Sequence, residues 1–170
     1  MRRAILAALA VLATSAVVVS TTTADSSSKD VLKFDSMAGV TEPFTGATNP
    51  VRGVPGGGLP WQIKRADGEL RADGRLKLKV EGLVLARRAP VPPAQQGTNP
   101  IAQFRAIVSC LTPGNGGTTA DTVNRTTDPV DASPTGNARF DTKVSLPHPC
   151  IAPIVFVTSP TGAWFAATGL

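Results

Sequence analysis

Tyrosine is absent from this chain of 170 residues, histidine occurs once and cysteine twice. Each scarcity removes a class of chemistry. His148 alone cannot supply a multi-histidine metal site, and two cysteines do not complete a zinc tetrahedron with it. A Ser-His-Asp triad would have to run through the same His148, and no Gly-x-Ser-x-Gly elbow accompanies it. His148 stands in Pro147-His148-Pro149-Cys150, where neighbouring side chains rarely face each other, so a surface loop histidine is favoured over a Cys-His nucleophile pair. Gly56-Gly57-Gly58 is followed by Leu59-Pro60-Trp61, not by the Lys-Ser/Thr and helix of a phosphate-binding loop. Beyond Ala24 there is no sustained helical periodicity and no apolar run long enough to span a bilayer.

What is present starts with the first residues. Arg2-Arg3 precede an apolar run over residues 4–19, and Ser20-Thr21-Thr22-Thr23-Ala24 follows. A charged start, an apolar middle and a small-residue exit are the layout of a secretory signal peptide. The expected cut follows Ala24, with Ala16 as second choice; a spanning anchor needs about 20 strongly apolar residues, and this run is shorter and mostly Ala and Val. The organisation expected is a leader over residues 1–24, a flexible mature N-terminus over 25–30 and one domain over 31–170 of an extracellular protein.

In an oxidising compartment two cysteines favour a bridge, here Cys110 to Cys150. The formal charge is +5, but Lys64, Arg65, Lys77 and Lys79 are interleaved with Asp67, Glu69 and Glu81. Interspersed signs make a solvated face and not a nucleic-acid stripe. No cofactor is implied. The partners expected are an extracellular protein or a cell-wall polysaccharide.

Glycine and proline are abundant among β-branched residues, which points to many short strands. A first strand is expected over 31–37, then a long irregular stretch over 41–60 of the kind that is often functional or mobile. Residues 61–71 and 76–81 form the arms of a hairpin turned by Ala72-Asp73-Gly74-Arg75. Leu76, Leu78 and Val80 alternate with Lys77, Lys79 and Glu81, a strand with one wet face, and Gly82 reads as a bulge. The near-repeat of residues 65–70 in 71–76 stops after two copies, too few for a solenoid. A second loop covers 86–100, a strand apolar on both faces covers 101–111, and residues 112–134 read as polar and turn-rich. Strands over 138–146, 150–159 and 162–167 complete an all-β fold, a single β-sandwich or small barrel.

The hairpin pieces Gly68-Glu69-Leu70, Asp73-Gly74, Leu76-Lys77-Leu78-Lys79-Val80 and Gly82-Leu83 resemble the opening of chordin-type domains of secreted proteins. The likeness departs at Val84-Leu85-Ala86-Arg87-Arg88, where those domains carry a histidine-bearing segment. Pro149-Cys150-Ile151-Ala152-Pro153 and Gly162-Ala163-Trp164-Phe165 are similar to segments of uncharacterised secreted bacterial β-domain proteins. Neither resemblance carries an activity.

Trp61 and Trp164 are the candidate binding residues, because flat aromatic rings make platforms for sugars or peptides; burial in the core is the competing expectation. Asp121, Asp128 and Asp131 match no EF-hand spacing, and Glu69 and Glu81 sit among basic residues as salt-paired acids do. Asn124-Arg125-Thr126 is a glycosylation sequon. The expectation is a secreted, non-catalytic binding or structural protein without a metal. The alternatives are a secreted hydrolase using the acidic loop, or an exported protease inhibitor offering the 41–60 or 86–100 loop.

Overall fold

The computed structural model describes residues 29–114 and 116–169. The expected leader and residues 25–28 lie outside them. Twelve strands follow in order: β1 (Asp30–Phe34), β2 (Ala38–Gly39), β3 (Trp61–Gln62), β4 (Arg65–Arg71), β5 (Arg75–Glu81), β6 (Val84–Leu85), β7 (Gln103–Pro113), β8 (Ala120–Thr126), β9 (Val130–Asp131), β10 (Ala138–Lys143), β11 (Ile151–Thr158) and β12 (Trp164–Ala167). They form an antiparallel sheet in the order β1-β4-β5-β10 and a larger one in the order β2-β12-β11-β7-β8, with β9 also on β7 and a short β3-β6 pair. The fold is an all-β sandwich.

The core lies between the sheets. Leu70, Leu76, Leu78, Val80 and Phe140 from the smaller sheet join Phe104, Ala106, Val108, Val155 and Val157 from the larger one in one buried cluster. Period-two alternation puts these residues on one side of each strand. Phe104, Trp61 and Phe165 close one part of the core, with Trp61 stacked on Phe165 at a centroid distance of 4.0 Å.

The hairpin of β4 and β5 is where the spacing placed it, in register Leu70↔Leu76 through Arg65↔Glu81. Gly74 takes φ 86° at the turn, and the Asp73 carboxylate accepts a hydrogen bond from the Arg75 N–H. A Cβ on Gly74 would also meet the Val144 carbonyl oxygen at 1.9 Å. At Gly82 the expected bulge is instead a strand end. Gly82 has φ 66°, its N–H donates to Asn137, and the chain crosses to pair Val84 and Leu85 with β3.

Three other expectations change. Asp30, assigned to a flexible N-terminus, opens β1, and the Lys29 carbonyl accepts from Ala72 N–H. Residues 112–134 contain β8 and β9. The 41–60 stretch is a packed segment. Val40 N–H donates to Phe165 O, Gly57 N–H to Trp164 O, and Trp164 N–H to Pro55 O, so its two ends are stitched to β12. Its middle turns back through reciprocal Val51–Val54 bonds, Arg52 donates to Ser109 O and Asn124 donates to Arg52 O. A Cβ on Gly56 would lie 1.8 Å from the Phe44 carbonyl oxygen, so this glycine answers a close backbone approach and not a need for mobility.

Candidate functional site

The segment over 41–60 covers the side of the larger sheet that faces away from the core. Phe156 stands opposite Ile107 on that side, Trp164 packs on Phe156 at 5.9 Å, and Ile107, Phe156, Trp164 and Val54 are all buried. Trp61 and Trp164 therefore take the buried placement favoured for both over an exposed platform. Trp61 is 6% exposed and Trp164 1%, because one ring is stacked within the sandwich and the other lies in the apolar layer under the covering segment. The Trp164 indole N–H and the Ser109 hydroxyl are buried in that layer without a partner among the described residues.

The outer face of the smaller sheet is built differently. The register aligns Lys33, Glu69, Lys77 and Asp141 in one row across β1, β4, β5 and β10, and Asp67, Lys79 and Arg139 in the next. Opposite charges face each other along the first row, a favourable cross-strand arrangement. Between the rows the sheet presents only backbone, because Phe34, Leu78 and Phe140 turn toward the core; on that inner side the Phe34 ring fills the space beside Gly68, where a Cβ would meet Phe34 Cζ at 2.7 Å. The result is a shallow hollow of about 410 Å³ with Phe34 and Gly68 among its lining residues and with lysines, an arginine and carboxylates around them. A second hollow of about 650 Å³ shares Lys79 and Arg139 with it and continues past Glu81 and Gly82 to Asn137.

Lys79 keeps the Glu81 carboxyl below the usual carboxylate range, by hydrogen bonding first and by charge second. Glu69 pairs with Arg71 at 3.2 Å. The two glutamates lie at opposite ends of the hairpin, Glu69 across from Lys77 and Glu81 across from Arg65, so they cannot flank one bond as a glycosidase pair must.

The remaining candidates are dispersed. Cys110 and Cys150 form the expected bridge, with an S–S distance of 2.01 Å across a sequence separation of 40. His148 is exposed and lines a third hollow of about 360 Å³ with Asp73 and Lys143. Asp121, Asp128 and Asp131 are spread along one sheet edge instead of gathering in a loop, and among the described residues no three His, Cys, Asp or Glu side chains converge on a metal position. Asn124, in the sequon, lies on β8. Of the two loops weighed as inhibitor loops, 41–60 is packed as described, and 86–100 is pinned by Leu85 N–H to Thr98 O, Gly97 N–H to Leu85 O and a buried Val91.

The charged hollow is the site that residue-by-residue reading missed. Its alternating residues were visible, but only the register of β1 and β10 shows that they align into rows. Among the described residues no helix is long and apolar enough to cross a membrane. No family model, curated protein or solved structure matches the chain.

Proposed function

We propose that this is an exported, non-catalytic binding protein that works at the cell surface or in the medium through the outer face of its smaller sheet. The observation that carries this reading is the contrast in cover. The chain spends a long segment on the apolar side of the larger sheet and leaves open the charged rows on the outer face of the smaller one. Mixed signs suit a protein surface with a complementary mosaic of charge, and lack the one-signed field that attracts nucleic acid. The Cys110–Cys150 bridge supports export, since such bonds persist outside reducing compartments.

Two measurements test this. Mass spectrometry of the culture medium, with and without reductant, should find a processed chain that gains two hydrogen atoms on reduction; an intact precursor held inside with free thiols would overturn export. Lys77→Ala combined with Lys79→Ala should sharply weaken capture of an extracellular protein partner while leaving the melting temperature nearly unchanged. Capture of cell-wall polysaccharide alone would move the partner to the other class. Turnover of a hydrolase substrate, lost when Asp121 or Asp131 becomes Asn, would replace the binding reading with the enzyme.

A further inference from the structure

Strand β8 terminates the larger sheet and carries a self-complementary pattern: Ala120, Asp121, Thr122, Val123, Asn124, Arg125, Thr126. Its register on β7 runs from Pro113↔Ala120 to Ile107↔Thr126. The flanking bonds Gly114 N–H to Thr119 O and Thr127 N–H to Ala106 O fix the phase of that ladder. In an antiparallel pair every second residue exchanges both backbone bonds with its neighbour. Asp121, Val123 and Arg125 therefore turn their backbone groups toward β7. Ala120, Thr122, Asn124 and Thr126 turn theirs outward, on the side where no further strand follows in the sheet.

We infer that β8 pairs antiparallel with β8 of a second copy across a two-fold axis at Val123. That register sets Thr122 of one copy against Asn124 of the other and Ala120 against Thr126, so outward donors meet outward acceptors throughout. It also sets Asp121 of each copy opposite Arg125 of the other, and Val123 opposite itself. A slip of two residues keeps the backbone in phase but puts Asp121 or Arg125 opposite Val123. A slip of four brings Asp121 against Asp121 or Arg125 against Arg125. Charge therefore selects one register, and the contact is isologous, as a closed dimer requires.

Two observations mark these charges as unspent. Asp121 lies opposite Thr112 and Arg125 opposite Val108, and among the described residues neither forms an ion pair. Arg125 Nε donates to Ser145 O at 2.9 Å, which anchors the guanidinium while its terminal nitrogens stay available. The strand carries neither proline nor lysine, and Thr122, Val123 and Thr126 favour extended backbone.

Sedimentation of the purified protein, bridge intact, over a concentration series tests the pairing. The unmodified chain should show a monomer–dimer equilibrium that added salt weakens. Asp121→Arg alone and Arg125→Asp alone should each weaken it at least about tenfold, since attractive pairs become repulsive. An equimolar mixture of the two variants should restore the dimer as a heterodimer. Thr122→Pro should also block it with the melting temperature retained, because the lost N–H points outward. An unmodified chain that stays monomeric at its highest soluble concentration, or a dimer that both charge variants leave intact, overturns the inference.

Discussion

On the smaller sheet, the face turned from the core carries Lys33, Glu69, Lys77 and Asp141 in one row; on the larger sheet the equivalent face carries Ile107, Ser109, Phe156 and Trp164. The first can remain in water. The second cannot, and the segment over 41–60 lies on it. The larger sheet thus has apolar contacts on both of its faces and the smaller sheet on one. A substitution of the same kind should therefore have different effects on the two outer faces.

The largest difference is expected between Trp164→Ala and Lys77→Ala. Removing the buried indole should cost roughly 3–5 kcal/mol, by loss of burial plus the cavity left behind. Removing an exposed lysine should stay within about 0.5 kcal/mol. Urea unfolding of both variants measures this, and equal losses would erase the distinction between the faces. Replacing Cys110 and Cys150 together by Ala should cost about 4 kcal/mol in the chain-entropy description, read as a fall in denaturation midpoint that reductant also produces in the unmodified protein. The bridge joins β7 to the start of β11, so the loss belongs to the covered sheet.

A sharper probe lies inside the glycine triplet. Gly56→Ala should cost roughly 1–3 kcal/mol, as overpacking does. Its Cβ would be driven against the Phe44 carbonyl, whereas a Cβ on Gly58 meets nothing within 4 Å. Gly58→Ala should be near neutral, and equal tolerance at both positions would mean that the segment is loosely held. The smallest effect concerns pH. The Arg75 N–H lowers the Asp73 pKa and Lys79 lowers that of Glu81, so both acids favour the folded state above their ordinary values of 3.8 and 4.5. That contribution is lost as pH falls through the lowered folded values. Asp73→Asn with Glu81→Gln should flatten the acid limb of thermal stability, by lowering stability slightly at neutral pH and leaving it unchanged below the lowered folded values.

The smaller sheet was the more legible in the sequence for the same reason that it stands open. Leu76, Leu78 and Val80 against Lys77, Lys79 and Glu81 report a wet face and a dry one directly. Strand β7, apolar on both sides, announced that something covers it twice, but not what. The covering segment presents only scattered apolar residues, such as Val51 and Val54, among prolines and glycines, so local periodicity has nothing to register. Strand β8 is exposed on both faces apart from a half-buried Val123, and a strand without a dry side reads as a turn-rich loop. The tryptophans were ambiguous because one chemistry serves a core and a platform alike; only placement decides between them.

The stitching of the 41–60 segment has a consequence for the order of assembly. Its backbone partners at Trp164 and Phe165 belong to β12, the last strand in the sequence, and β2 also finds its neighbour there. Such distant pairings wait on the closure of a very long loop. Strand β1 meets β4 early, whereas β2 and the covering segment stay without these neighbours until nearly all the rest has been synthesised. The cover of the larger sheet is accordingly the last part to close, after a smaller sheet whose strands β1, β4 and β5 are near one another in the sequence.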